Sequence, residues 1–432
     1  MLHQLKKSVR EQRFGIAILS AMSLLYFFSF FHRVSVPGTI FNQLQTDLGL
    51  SAAAVTAIGS VFLYVYGGSQ FIVGFVVDRM GGVTTIIWGG LLMTLGALLF
   101  PFAQAEWFLY LTRAFLAFGC SAMYLCLVKE VDLLFGSKNF TPIIGAVSFA
   151  SYTGGLVATL PFERTVAAIG WRPALFLAGL ASAAALIALV VLKAKGGKSA
   201  EKSGCQAGQG SYLGIIRNPL NIPVVFSGSV LFATYFVVQA TLGKKFLEDV
   251  AGLGSGEAAS FMFVMMLTMM VAVFGAGVVA RLLGDRRKVI IVACALLSLA
   301  SMLLLLFGVS GSSPSDRMVF LAAYALLALS SGVGPIIASS MKELNHPEAV
   351  AQAVGFANGM VYLLVAVFAN GVGIILDLYK SSATVTAAAI LYPSAAYRVV
   401  FVCLLCIVFL ALISSFFIKE TKGENLYDYD VP

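Results

Sequence analysis

An adjacent histidine and arginine, His32 and Arg33, stand inside the first long apolar run of this chain, directly after an aromatic stretch that includes Tyr26, Phe27 and Phe28. A charge deep in a bilayer helix costs from about 2.5 kcal/mol upward, so it is usually turned toward a protein interior or a water-filled path. Arginine keeps its charge and offers a planar fork of donors that matches carboxylate and phosphate. One reading makes Arg33 a ligand-facing cation. The other puts it at a helix end, snorkelling to headgroups. His32 beside it can titrate and is the candidate proton carrier, although a histidine among aromatics at a helix end can also have no coupling role. Tyr26, Ser29 and Arg33 follow an i, i+3, i+7 spacing and share one helix face.

The other polar groups within apolar runs extend this set. Arg113 is the second arginine inside a span, and Tyr124 lies further along the same run. Tyr64 and Gln70 fall in the second run, Tyr235 and Gln239 are four apart, and so are Asn358 and Tyr362. Such side chains orient a small polar ligand without adding charge. Each of them singly also fits helix–helix packing with a local hydrogen bond, a role that suits Gln352 and Asn370 best. The methionines at 262, 265, 266, 269 and 270 read as packing. No acid lies in the middle of the first run; Glu130, Asp132, Glu163, Glu343 and Asp377 fall at run ends, where any of them is an alternative proton carrier to His32.

The elements that must position these residues follow from composition. The chain has 432 residues, of which 59% are hydrophobic and 11% charged, with mean hydropathy +0.94. A soluble domain carries about 25% charged residues. A span takes about 20 apolar residues, and long runs rich in helix-forming residues argue against the short alternating strands of a barrel. The expectation is an all-α polytopic membrane protein of twelve helices, near 14–40, 53–76, 83–103, 107–129, 141–161, 172–192, 221–243, 257–281, 288–309, 317–341, 352–377 and 397–418.

Lysine and arginine crowd the alternate loops that hold the N-terminus, which predicts that both termini are cytoplasmic. Residues 193–220 are Gly-rich, polar and basic, and read as a cytoplasmic linker between six-helix halves at 1–192 and 221–418, with a tail at 419–432. The halves echo each other: Gly74, Asp78, Arg79 and Gly81 against Gly277, Arg281, Gly284, Asp285 and Arg286; Lys129-Glu130 against Lys342-Glu343; Gly145 against Gly355. The net charge of +8 tracks one set of loops, with no aromatic-interleaved basic cluster of the kind nucleic acid would need. Six cysteines, five of them in apolar runs, suggest neither a disulfide framework nor a metal site, and Cys403 and Cys406 read as packing. No cofactor motif, nucleotide-binding loop or nucleophile–base set appears, which sets aside enzymes and ATP-driven pumps.

On these features the chain resembles the major facilitator superfamily. The resemblance rests on two six-span halves, the loop pattern Gly74, Asp78, Arg79 and Gly81, Arg113 followed by Gly119, and the glycines of the fifth span. It implies alternating access, an inner gate around Gly74, Asp78, Arg79, Gly81, Arg281, Gly284, Asp285 and Arg286, and a cavity lined by the first and fourth helices. Arg33 and Arg113 would then converge, and two facing cations call for an anion between them. The pattern departs after Gly81, where Gly82, Val83 and Thr84 stand in place of the usual basic residues. The first span is also similar to the organophosphate:phosphate antiporters and anion:cation symporters, through the aromatics from Tyr26, then Arg33, then Gly49-Leu50-Ser51. The resulting expectation is a monomeric secondary transporter of a small organic anion in a bacterial inner membrane, coupled to protons. A carrier of a neutral or zwitterionic nutrient and a non-transporting sensor are the alternatives.

Overall fold

The computed structural model describes residues 2–196, 212–310, 316–346, 349–386 and 389–427, with side chains of the first helix from Phe14 onward. Residues 197–211 of the expected linker and 428–432 of the tail lie outside the described residues, as do the side chains of Asp78 and Asp132.

Long apolar runs in a bilayer must satisfy every backbone group internally, which makes them helices. Among the described residues eleven helices are long and apolar enough to cross a membrane, or twelve if the bent pair Ile143–Val157 and Leu160–Ile169 is one span. The chain is an all-α polytopic membrane protein. The expected run at 14–40 is the candidate span Phe14–Thr39, and that at 288–309 is Arg287–Val309.

The helices group into two compact units, Met1–Val34 with Gly68–Ala207, and Ser35–Gly67 with Gly208–Pro432. The first contains α1 (Leu2–Val34), the end of α3 (Ala52–Met80), α4 (Gly82–Leu99), α5 (Glu106–Val157), α6 (Leu160–Ile169) and α7 (Trp171–Gly196). The segment α5 doubles back along α1. Arg113 meets His32, Tyr124 meets Tyr26 and Leu134 adjoins Gly15; Tyr152 then returns to Phe30 and Gly154 to Phe27. Gly89 on α4 and Gly119 on α5 let these two helices meet backbone to backbone, leaving no room for a side chain at either position.

The second unit contains a kinked segment at Ser35–Thr39 in which Val36 is extended, α2 (Phe41–Leu48), the start of α3, α8 (Tyr212–Arg217) and α9 (Asn221–Val237), a π-helical turn at Val238–Leu242, and α10 (Gly243–Asp249). Then come α11 (Ser255–Leu282), α12 (Arg287–Ser310), α13 (Asp316–Ser330), α14 (Val333–Leu344) and α15 (Val350–Leu378). A two-residue hairpin, β1 (Thr384–Val385) with β2 (Ile390–Leu391), precedes α16 (Ser394–Ser415). Its core is a cluster from α9, α12, α14, α15 and α16 that includes Val224, Ile291, Ile337, Ala353 and Leu412.

Two regions carry contacts that the sequence reading did not assign. Lys244 and Lys245, expected among loop charges, are buried on α10, because each finds a carboxylate one helical turn on: Lys244 with Glu248 at 3.2 Å and Lys245 with Asp249 at 2.6 Å. Part of the C-terminal tail is packed rather than free: Thr421 is buried with its hydroxyl on Glu343, and the Leu426 amide donates to the Glu343 carbonyl at 2.7 Å.

Candidate functional site

In the first unit, Arg33 and Arg113 are both buried, at 3% and 2% exposure. The Arg113 Nη1 donates to the His32 carbonyl at 2.9 Å. The His32 Nε2 lies 3.1 Å from the Ser182 hydroxyl of α7, so its ring is held from the side opposite its own helix. The Arg33 guanidinium lies over the ring of Phe30, 4.7 Å from its centroid. Because the carbonyl that Arg113 reaches belongs to the residue immediately before Arg33, the two arginines are anchored at adjacent positions of α1. Ser29 and Tyr26 are buried on the same face of α1, and Tyr124 is partly exposed with its ring 5.9 Å from that of Tyr26. The unit thus brings together Tyr26, Ser29, His32, Arg33, Arg113 and Tyr124. Gln70 is engaged elsewhere, on the Ser121 carbonyl at 3.4 Å.

In the second unit, Tyr235 is buried with its hydroxyl 3.9 Å from the Met266 sulfur. Gln239 follows it on the π-helical turn, buried, and its Nε2 makes no hydrogen bond among the described residues. Local π-helix is frequent at functional positions because it re-aims a side chain without ending the helix. Tyr362 packs edge-on against Tyr66 at 4.8 Å and against Phe232 at 6.0 Å. Asn358 is half-buried one turn before it. Tyr64 is partly exposed and accepts a hydrogen bond from Asn370 at 3.3 Å. Tyr235 and Tyr362 therefore belong to an aromatic patch whose other members, Tyr66, Phe232 and Phe236, the sequence reading did not single out.

The paired loop patterns have distinct geometries. In the first, Gly81 adopts φ +79°, a conformation that favours glycine. Arg79 is exposed over the Phe75 ring at 4.0 Å, and Gly74 is half-buried. The Lys129 ammonium donates to the Val77 carbonyl at 2.8 Å, while the adjacent Glu130 accepts from the Val83 amide at 3.2 Å. One residue thus caps the C-terminal end of α3 and its neighbour the N-terminal end of α4, each with the charge the helix dipole favours. A side chain at Gly82 would meet the Glu130 carboxylate and the Cys126 carbonyl, so the position has no room for one.

In the second pattern Gly284 has φ +66° and Asp285 φ +55°. Arg281 and Arg286 are exposed. The cation that pairs is Arg287, 3.1 Å from Asp285 and 2.9 Å from Glu343. The sequence signal for it was present, since Lys342-Glu343 repeats Lys129-Glu130, but spacing did not distinguish Arg286 from Arg287. Of the acids at run ends, Asp377 accepts the amides of Ala52 and Ala53 at 2.9 Å each and so caps α3.

The comparisons with known proteins agree with this architecture. The probable sulfoacetate transporter SauU of Cupriavidus necator is 26% identical over 167 residues, which is 38% of each chain. The agnestins efflux protein of Paecilomyces divaricatus is 27% identical over 124 residues, 28% of each chain. The aligned stretches therefore span well under half of these curated relatives. Among solved structures, the nucleoside transporter NupG superposes with a TM-score of 0.73 at 11% identity, over 92% of this chain and 99% of its own. A bacterial homologue of the human lysosomal transporter Spinster, inward-facing and unoccupied, gives 0.72 at 16% identity, over 93% and 96%. At those identities the likeness is one of fold. The sequence profile of the Major Facilitator Superfamily matches residues 22–370, and this chain belongs to that superfamily.

Proposed function

We propose that the protein is a secondary transporter that moves a small organic anion, a carboxylate or a phosphorylated metabolite, by alternating access. The observation that carries this reading is the pair of buried arginines of the first unit, Arg33 and Arg113, the second of which donates to the carbonyl of the residue just before the first. Two desolvated cations repel each other, and an anion binding through their donor edges relieves that repulsion while matching the fork geometry. Tyr26, Ser29 and Tyr124 beside them supply uncharged contacts to the rest of the ligand. The similarity to a probable sulfoacetate transporter supports an anionic substrate, as does the resemblance of the first span to anion-carrying families.

The coupling ion in this reading is H⁺, with His32 as its carrier. Gly74, Asp78, Arg79, Gly81, Arg281, Gly284, Asp285 and Arg286 form the gate-loop turns. The distribution of lysine and arginine supports cytoplasmic termini in a bacterial inner membrane, and the protein acts as a monomer.

The test is thermal stabilisation of the purified protein by sulfoacetate, pyruvate, phosphoglycolate, an amino acid and a nucleoside, for wild type and Arg33→Gln. A ligand that binds only the folded state raises stability by mass action. Stabilisation by the anions that disappears in Arg33→Gln supports the reading, and uptake into proteoliposomes separates a carrier from a sensor. Stabilisation by the neutral or zwitterionic compounds alone, equal in both proteins, overturns it in favour of a nutrient carrier.

A further inference from the structure

His32 is tied to its surroundings at three points. Its Nε2 lies 3.1 Å from the Ser182 hydroxyl of α7, its carbonyl accepts from Arg113 of α5 at 2.9 Å, and Phe31 meets its ring edge-on at 5.4 Å and 83°. The Ser182 hydroxyl has a second neighbour, the Ala178 carbonyl one turn earlier on α7, at 2.9 Å. Both residues are buried, His32 at 2% exposure and Ser182 at 0%.

A hydroxyl carries one proton and two lone pairs. A serine inside a helix can place that proton on the carbonyl four residues back, which is the contact to Ala178. Its oxygen then faces Nε2 with a lone pair. A second lone pair on Nε2 would set two acceptors against each other in a buried site, and one of the two contacts would be lost. With the imidazole proton on Nε2, both contacts are hydrogen bonds. The neutral ring then carries its lone pair on Nδ1.

We propose that Ser182 is a positioning residue for proton coupling: its hydroxyl holds His32 as the Nε2–H tautomer and so makes Nδ1 the nitrogen that takes up the transported proton. The inference rests on the reading of His32 as the proton carrier. In the step, the Nδ1 lone pair forms an N–H bond with a proton released by water, and the same bond breaks when the proton is returned to water. Nε2–H donates to Ser182 in both charge states, so the ring takes its proton without turning. The cations beside it are Arg113, which reaches the carbonyl of the same residue, and Arg33, which follows on α1. The segment α7 brings the uncharged Ser182, and α4 holds no charged residue. The segment α6, whose Phe162 packs on Phe31 at 5.0 Å, carries the buried Glu163 and the exposed Arg164. Two cations beside the ring oppose a third charge, and a bound anion relieves that opposition, which links proton uptake to substrate binding.

The test is solid-state nitrogen NMR of the full-length protein, isotope-labelled at histidine and embedded in lipid, which tells a protonated ring nitrogen from an unprotonated one. The chain has three histidines, His3, His32 and His346, and the spectrum of His32→Gln identifies the signals of His32. Uptake of sulfoacetate, pyruvate and phosphoglycolate into proteoliposomes is followed across pH in parallel. The expected wild-type spectrum has a protonated Nε2 and an unprotonated Nδ1. Ser182→Ala should give a mixture of tautomers. Its pH profile of uptake should move to lower pH by roughly half a unit to one unit, because the hydrogen bond that favours the charged ring is gone. Ser182→Thr, which keeps the hydroxyl, should restore both. A wild-type ring protonated on Nδ1 overturns the role of Ser182, as does a Ser182→Ala protein with wild-type tautomer and pH profile, and either result leaves the coupling reading standing. The wild-type spectrum alone decides the tautomer if Ser182→Ala fails to fold. Absence of uptake of all three anions, or a pH profile that His32→Gln leaves unchanged, overturns the coupling reading and the inference with it.

Discussion

The Arg113 Nη1 lies 2.9 Å from the carbonyl oxygen of His32, so a side chain from α5 ends on the backbone of α1 one residue before Arg33. Both residues are buried. The contact ties the two helices together where the cations gather. Arg113→Ala should cost about 1–3 kcal/mol, the price of leaving a buried carbonyl without its donor. Thermal unfolding in detergent measures it. An unchanged midpoint would show that another donor replaces the guanidinium.

Glu130 and Gly82 form a matched pair at the start of α4. Glu130→Ala removes the acceptor of the Val83 amide and should cost about 1 kcal/mol, as loss of a helix cap does. Gly82→Ala drives a methyl into the same carboxylate and should cost about 1–3 kcal/mol by overpacking. Because both act on one group, the double variant should be less destabilised than the two single costs added together. Additive costs measured in a double-mutant cycle would separate the two effects.

The side chains of Lys245 and Asp249 are fully buried and 2.6 Å apart. Asp249 also accepts the Tyr392 amide at 3.0 Å and the Tyr397 hydroxyl at 2.6 Å. Removing one member of a buried pair strands the other charge, at a cost of about 3–5 kcal/mol. Asp249→Leu, which orphans three donors, should be worse than Lys245→Met. The yield of monodisperse protein and its unfolding temperature give the order. The reverse order would mean that the carboxylate stranded by Lys245→Met costs more than the three donors stranded by Asp249→Leu.

Asp377 on α15 accepts the first two amides of α3, those of Ala52 and Ala53, at 2.9 Å each. Asp377→Ala should lower stability by about 1–2 kcal/mol through loss of the cap and of a negative charge at a helix N-terminus. Asp377→Asn should recover part of that, since its amide oxygen can still accept. If Asp377→Asn instead abolishes proton-driven uptake while stability holds, the residue carries protons as well.

The Glu343 carboxylate binds Arg287 at 2.9 Å and the Thr421 hydroxyl, and the tail adds hydrogen bonds from Asn425 to the Lys342 and Asn345 carbonyls at 3.2 and 3.1 Å. Thr421→Val should loosen this strap. Limited proteolysis between Ile418 and Tyr427 should speed up several-fold relative to wild type, with little change in global unfolding. Unchanged cleavage would assign the seating of the tail to Leu426 and the backbone.

The sequence alone was enough for the spans, because crossing a bilayer is a matter of apolar length: the run expected at 352–377 is the candidate span Gln352–Leu378. The repeated loop pattern likewise put Gly81 and Gly284 between spans, and both adopt positive φ, a conformation that a missing side chain makes cheap. A helix that is apolar on all sides carries no pattern to say which face turns inward. Only the packed chain, therefore, decides that Arg33 sits on Phe30, that Arg287 and not Arg286 meets Glu343, and that Tyr66 and Phe232 surround Tyr362. The burial of Lys244 and Lys245 was hidden for a related reason. Charge counting sees a cation near a loop, while the carboxylates one turn on, the Thr39 carbonyl that Lys244 reaches at 2.9 Å and the Ile390 carbonyl that Lys245 reaches at 2.6 Å are neighbours only in three dimensions.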